Sequence, residues 1–385
     1  MKILFSYELV GRGGDALQVL ALAEALQTLG HEVTLLGPVP LEPYKFSGRI
    51  GRLRSFLRRL PWWARDLIEL GLQLRLLSKS RRLLRENRFD LVLHRAGIYD
   101  FAGAYLARKV RRPLIAHLDA PFPIERGFRG EGYFHFLHRA CMRKLGERAK
   151  LIFTMSQASR DYYVELGLPQ EKIIILPNGV SSQLLEEEKE LAGQHPPLVA
   201  TKETVIGFVG SLSRWHRVDL LLEALQLLDA EHPRQFRLVV VGYGEEYSRL
   251  RATEKSLGLE GLVSWLGPLP HEEAFEQITR FDIAVLPHTL PTGAPMKLFE
   301  YAAVARPTIA PDLPNLRELF SEEEMYFVEP ESPQALAEAI LKLSQKPEAA
   351  YQVGKRARQR VQEYTWENIV LQLLKAVQNL TQHED

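Results

Sequence analysis

Twice along this chain, short apolar runs of strand character alternate with longer stretches of helical periodicity. That repeated alternation restricts the fold more than any other feature. The first set of runs is Ile3 to Tyr7, Glu32 to Leu36, Asp90 to His94, Leu114 to Leu118, Leu151 to Met155 and Ile173 to Leu176. The second is Val205 to Val209, Arg237 to Val241, Val263 to Leu266, Ile283 to Leu286, Thr308 to Ala310 and Met325 to Val328. Strand and helix in alternation give a parallel sheet with helices on both faces. An α/β fold of two doubly wound domains is therefore expected, and 385 residues suffice for two such cores. Between the two sets, Ser181 to Glu203 carries Glu186-Glu187-Glu188-Lys189-Glu190 and Pro196-Pro197, which reads as a linker.

The net charge of +1 conceals a division. Residues 1–180 hold 29 Lys/Arg against 17 Asp/Glu, or +12, and residues 181–385 hold 20 against 31, or −11. Halves of opposite sign suit domains with different partners, the first facing something anionic. The single cysteine, Cys141, excludes an internal disulfide framework and a Cys-based zinc site. The opening MKILFSYELV turns glycine-rich before a signal-peptide apolar region is complete. No uncharged run reaches the roughly 18 residues a membrane span needs. The expectation is a cytoplasmic chain, neither secreted nor transmembrane.

Ligands of doubly wound sheets bind at the carboxyl ends of the strands. In the first half that place holds Gly11-Arg12-Gly13-Gly14-Asp15, glycines that let a backbone approach a ligand just before a helix begins. In the second half it holds Gly210-Ser211-Leu212-Ser213-Arg214-Trp215-His216-Arg217, with Arg214, His216 and Arg217 as possible phosphate or sugar contacts. Further on, PHTLPTGAPMKLFEYAAVARPTIA (Pro287 to Ala310) sets a Gly/Pro-rich loop against a helix carrying Glu300. The N–H groups at a helix start suit a phosphate, and a carboxylate one turn in suits the two hydroxyls of a ribose. A nucleotide-diphosphate site fits both.

Several motifs fall in one order: the glycine loop before a helix ending in GHEV, ILPNGV (Ile175 to Val180), GFVGSLSRWHRVDLLLEAL (Gly207 to Leu225), VVVGYGEE (Val239 to Glu246), WLGPLPHEE (Trp265 to Glu273) and PMKLFEYAAVARPTIA (Pro295 to Ala310). In that order they resemble the retaining GT-B glycosyltransferases of family four over nearly the whole chain. The resemblance implies two Rossmann-like domains facing a central cleft. An acceptor-side domain would take 1–185 plus a returning helix at 365–385, and a nucleotide-sugar domain would take 186–364. Glu300 would match the second glutamate of the family's E-x7-E motif and hold the donor ribose. Pro295, Met296, Lys297 and Leu298, with Gly293 in the loop, would meet the diphosphate, the Lys297 side chain being free to point to solvent. Gly242, Gly244 and the turn to Leu269 would line the base. Gly13 and Gly14 would approach the diphosphate from the first domain, with His117 and Asp119 near the transferred sugar as catalytic residues.

The chain departs from the family pattern in two places. Thr292 stands where the first glutamate of the motif belongs. Ser211 and His216-Arg217 stand for the usual Arg and Lys-Gly of the phosphate loop, so His216 is expected to replace the lysine as a third catalytic residue, charged beside the diphosphate, with Arg214 or Arg217 supplying fixed charge. There is no D-x-D triplet and no H-x3-H or H-E-x-x-H spacing, so no metal and no cofactor is expected beyond the nucleotide sugar itself. Front-face substitution, as the family is described, needs no glycosidase-like carboxylate pair. The family's common donor is UDP-glucose or a related UDP-hexose, and its common pathways build polysaccharide or glycolipid.

The acceptor side holds a dense basic segment. From Lys45 to Arg88 lie thirteen Lys/Arg against three acids, with Trp62-Trp63 and aliphatic residues between them. Such spacing suits a helix lying on an anionic membrane and equally an amphipathic helix packed on its own sheet. A peripheral membrane contact through 45–88, presenting a glycan or lipid-linked acceptor, is the expectation. Tyr133, Phe134 and Phe136 are candidates to stack on a sugar or to fill the core. No nucleic-acid motif is present. A nucleotide-sugar epimerase or a lapsed sugar-binding protein of the same fold stays open as the alternative.

Overall fold

The computed structural model describes residues 1–8, 14–41, 60–110, 112–191 and 203–382. Two compact units emerge, one formed by Met1–Pro177 with Trp366–Asp385 and the other by Asn178–Thr365. The passage between them thus falls a few residues before the 185 expected from sequence. The chain enters and leaves the second unit side by side, because Val180 pairs with Thr365 and its N–H donates to the Tyr364 carbonyl at 2.9 Å.

The first unit's strands are β1 (Lys2–Tyr7), β2 (Glu32–Leu36), β3 (Leu91–Arg95), β4 (Leu114–His117), β5 (Leu151–Thr154) and β6 (Ile173–Ile175). The second unit's are β7 (Thr204–Val209), β8 (Phe236–Val241), β9 (Val263–Gly267), β10 (Ile283–Val285), β11 (Thr308–Pro311) and β12 (Tyr326–Val328). All twelve lie where the apolar runs predict them, and every pairing is parallel. Central strands are buried on both faces and so lose the polar alternation of a half-exposed strand. β3 and β4 are buried throughout, whereas edge strand β2 shows Glu32 and Leu35 to solvent.

Strand order is β2-β1-β3-β4-β5-β6 in one sheet and β12-β11-β10-β7-β8-β9 in the other. The order reverses between β1 and β3 in the first, and between β7 and β10 in the second. Loops diverge at such a reversal and leave a crevice outside the carboxyl ends of the strands, so topology alone marks one binding place per unit.

Leu4, Val92, Leu106, Leu114 and Ile152 centre the first core; Ile206, Phe208, Leu221, Leu225, Val240 and Ile283 centre the second. Each fully buried Leu, Ile or Phe contributes about 1.5–3 kcal/mol against exposure. The helix Trp366–Gln382 returns to the first unit and packs on Gly14–Thr28, with Trp366, Ile369, Val370 and Leu373 buried. One expectation gives way here, since Ser182–Leu191 is helical rather than a linker. Its Leu, Glu and Lys are good helix formers, Leu185 is buried, and Arg358 donates to the Leu185 carbonyl at 3.2 Å. The rest of that segment, 192–202, lies outside the described residues. No described helix is long and apolar enough to cross a membrane.

Candidate active site

In the second unit the reversal lies between the loop after β7 and the loop after β10. The first loop opens with Gly210 at φ 146°, where a Cβ would stand 2.5 Å from Lys297 Nζ. Gly242, at φ 130°, follows β8, and a Cβ there would collide with the Gly210 carbonyl. Gly244 lies likewise against the backbone of Leu212. These two glycines, assigned from sequence to the base, let two loops lie backbone to backbone, tied by Gly210 N–H to Val241 O at 2.9 Å and Glu246 N–H to Leu212 O at 3.1 Å.

A short 3-10 turn, Arg214–His216, then brings His216 inward, and Arg217 adopts a left-handed conformation to start the helix Val218–Glu231. The three basic residues of this loop part company. Arg214 is exposed. Arg217 turns to Asp219 at 3.2 Å and to Glu331 at 3.1 Å. His216 is buried, with Nδ1 at 2.6 Å from the Ser211 carbonyl. A carbonyl only accepts, so Nδ1 carries the proton and Nε2 presents a lone pair.

That lone pair meets Lys297. The helix Met296–Ala303 carries Lys297 as its second residue, and Nζ lies 3.1 Å from His216 Nε2 and 4.6 Å from the Phe208 ring centroid. The sequence leaves Lys297 free to face solvent, but it is buried under side-chain-less Gly210. Burial pushes the Lys297 ammonium down to about 7, with Glu300 partly opposing. Burial and the facing Lys297 hold His216 well below the usual histidine value. Both causes work against the imidazolium expected from sequence.

One turn along the same helix, buried Glu300 accepts from His271 Nε2 at 2.8 Å. Burial opposes charge on His271, yet the hydrogen bond to Glu300 and the charge of that carboxylate raise its pKa. Sequence reasoning misses His271 as a partner, although it sits in the WLGPLPHEE turn beside half-buried Leu269. The loop before the helix is braced twice. Asn178 donates to Ala294 O at 2.7 Å, and Asn315 donates to Gly293 O at 2.6 Å and Leu290 O at 3.2 Å. Thr292 is buried inside this braced loop, while Pro295 precedes the helix with Met296 and Leu298 in its first turn. ILPNGV contains the signal for Asn178; nothing marks Asn315.

In the first unit, the carboxyl ends of the strands gather a different set. Arg95, ending β3, is fully buried and donates through Nε to Gln18 at 3.0 Å and through Nη2 to Asp15 at 3.1 Å and to Asp119. Its Nη1 is buried and finds no hydrogen-bond partner among the described residues. His117 ends β4, stacked on Phe153 at 4.3 Å, and burial together with the Arg95 charge holds it well below the usual range. Tyr163 donates to the Asp119 carbonyl at 3.0 Å. Glu125 is pushed up to about 7 by burial and then by the negative charge of Asp15. His117 and Asp119 both lie beside Arg95, an arginine that sequence reasoning misses. Gly14 begins the helix Gly14–Thr28, whereas Gly13 lies outside the described residues.

Behind this set lies a wholly internal network. Ser6 Oγ is 2.7 Å from His94 Nδ1, and His94 Nε2 is 2.8 Å from Asp100. Glu8 accepts from Gly97 N–H at 3.1 Å, and burial, then Asp100, raise its carboxyl well above the usual range.

The basic segment is only partly free. Lys45, Arg49, Arg52, Arg54, Arg58 and Arg59 lie outside the described residues. Arg65 pairs with Glu131 at 3.0 Å, and Lys79 donates to the carbonyls of Gly37 and Pro38 at 2.9 and 3.2 Å. Trp62 packs edge-on against half-buried Phe134, which also neighbours Tyr99. Tyr133 lies over His135, and Phe136 is 87% exposed.

Residues 12–184 match the family described as Glycosyltransferase Family 4, and residues 194–360 match Glycosyl transferases group 1. A D-inositol 3-phosphate glycosyltransferase of Corynebacterium urealyticum is 28% identical over 183 residues, 46% of this chain and 43% of that relative, so the match spans less than half of its length. An uncharacterized glycosyltransferase of Methanocaldococcus jannaschii is 20% identical over 303 residues, 76% of each chain. Among solved structures, Anabaena HepE in complex with UDP-glucose is similar at a TM-score of 0.69 and 20% identity, over 98% of this chain and 100% of that one. Sucrose-phosphate synthase from Thermosynechococcus elongatus is similar at 0.74 and 18% identity, over 100% of both. These structural likenesses speak for fold. Each half meets its own family in the order the motifs predict, and the chain therefore belongs to the group 1 glycosyltransferases of family four, with the GT-B fold.

Proposed function

We propose that this glycosyltransferase moves a hexose, with retention, from a UDP-hexose to a glycan or lipid-linked acceptor in polysaccharide or glycolipid assembly. The observation that carries the donor side is the helix Met296–Ala303, which brings a buried amine and a buried carboxylate to the sheet's reversal point within one turn. Lys297 answers a diphosphate, and Glu300, its orientation fixed by His271, answers the ribose hydroxyls. HepE, a structural neighbour, binds UDP-glucose, which favours uridine over the other bases. Breaking the bond from the sugar C1 to the diphosphate leaves negative charge on a phosphate oxygen. Fixed donors stabilise it: Lys297, exposed Arg214 and the N–H groups of the first helical turn. The acceptor hydroxyl gives its proton to the departing phosphate as its oxygen bonds to C1 on the same face. His117 and Asp119 serve the acceptor side. Chelators leave the rate unchanged in this scheme, since amine and backbone supply the positive charge.

The acceptor is brought from a membrane surface. The helix Trp62–Glu86 exposes Trp63, Leu67, Ile68 and Leu74 in its first half and Arg75, Arg81, Arg82 and Arg85 in its second. Apolar insertion beside arginine charge suits anionic lipid. Sedimentation with anionic vesicles at low salt tests this, and a protein that stays in the supernatant removes the membrane from the scheme.

The donor is tested by thermal shift against UDP, GDP, ADP and their hexose derivatives, with Glu300→Ala as control. A ligand at 100 times its Kd adds about 2.7 kcal/mol of stability. Selective stabilisation by uridine nucleotides, lost in the variant, is the expected result. No stabilisation by any nucleotide would put a lapsed sugar-binding protein in its place.

A further inference from the structure

The Lys297–His216 pair has a property that donor binding alone does not require. A buried ammonium ordinarily sits against a carboxylate. Among the described residues no carboxylate lies within ion-pair distance of Lys297, whose neighbours are His216 Nε2 at 3.1 Å and the Phe208 ring at 4.6 Å. Glu300 is felt as a charge, but its Oε1 is engaged by His271 at 2.8 Å. The remaining groups around the pair supply no anion. Ser211 offers a carbonyl to His216 Nδ1, and Arg217 is turned to Asp219 and Glu331. His288 bonds through Nδ1 to the Trp215 carbonyl at 3.0 Å, and Tyr301 accepts from the Val209 N–H at 2.9 Å.

The tautomer restricts the pair further. With Nδ1 committed as donor to Ser211, charging His216 would place an N–H on Nε2 directly against the Lys297 ammonium. The pair thus holds one positive charge at most, on Lys297.

Resting on the diphosphate reading above, we propose that Lys297 and His216 form a proton-linked donor site, in which arrival of the donor diphosphate draws in the proton that completes Lys297. Positive charge facing the leaving group is then produced by donor binding, and His216 is a positioning residue whose lone pair aims the amine. The Lys297 ammonium, pushed down to about 7 by burial, sets the range. A diphosphate beside it favours the charged form. Affinity is therefore full below that value, and above it falls about tenfold per pH unit until the pKa in the complex is reached.

Calorimetry of UDP-glucose binding to the full chain at about pH 8, in two buffers of different ionisation enthalpy, reads the proton directly. The probe's phosphates are both diesters and do not titrate there. Uptake close to one proton per site is expected, falling toward zero at about pH 6, where Lys297 is already charged. Lys297→Arg should bind without uptake, because guanidinium never loses its proton. Should arginine prove too bulky to fold, Lys297→Met, of similar length, should weaken binding at every pH and likewise show no uptake. Binding by the native protein with no buffer dependence at pH 8 overturns the proposal. Failure of UDP-, GDP- and ADP-glucose to bind at any pH removes the diphosphate reading and this proposal with it.

Discussion

The two strand-end clusters treat a buried cation in opposite ways. In the first unit, Arg95 is surrounded by Asp15, Asp119 and Gln18. In the second, Lys297 faces an imidazole and an aromatic ring. Net charge runs the other way, since residues 1–180 carry 29 Lys/Arg against 17 Asp/Glu and residues 181–385 carry 20 against 31. A unit that is basic overall therefore keeps its buried cation neutralised, and an acidic unit leaves its buried cation without a carboxylate in contact among the described residues. Overall charge sets how a domain behaves at long range; pairing at the strand ends sets what it binds.

The largest effect separating the two should be on folding. Removing one member of a buried ion pair strands the other, so Arg95→Met should cost about 3–5 kcal/mol, seen as a lower urea midpoint. Lys297→Met, which removes an amine with no counter-ion in contact, should leave the midpoint unchanged or raise it. An equal loss in both would erase the contrast.

On catalysis the order reverses. Losing one fixed donor to a developing oxyanion typically costs about 10²–10³ in kcat, and Lys297→Met should fall in that range in a steady-state transfer assay with UDP-glucose.

A smaller effect should appear in pH dependence. His271 has a raised pKa in the folded protein, owing to Glu300 although burial opposes it. It binds more protons folded than unfolded, so its contribution is fully present below about 6.5 and disappears as pH rises through the folded value. Glu300→Gln should flatten that part of a Tm-against-pH curve, and an unchanged curve would deny the pairing. The smallest change belongs to Arg217→Ala. Its ion pairs with Asp219 and Glu331 are partly exposed, worth about 1 kcal/mol or less, and donor affinity should not change. A large loss of affinity would return Arg217 to the phosphate site.

The strands are legible because burial on both faces writes itself as unbroken Val, Ile and Leu, as in LVVV of β8. The places of His117, Asp119, His216 and Glu300 near the strand ends of their sheets are legible from motif position. The character of the sites is not. Lys297 in a helical pattern reads as a surface lysine, and what takes it inside is Gly210 and Phe208, far away in sequence. Arg95 reads as the polar end of β3 until Asp15 and Asp119 arrive from two other loops. Ser182–Leu191 reads as a linker because a run of glutamates serves a linker and a helix alike, and tertiary contact through Leu185 decides.

The side-by-side entry and exit at Val180 and Thr365 bear on how the protein is made. All of the second unit is translated before Trp366, so it can fold on the ribosome while the first, basic unit still lacks its returning helix. Until that helix emerges, the face of Gly14–Thr28 that it packs on stays uncovered. The half of the molecule synthesised first is thus the half finished last, and a chain cut short before Trp366 would injure the amino-terminal unit.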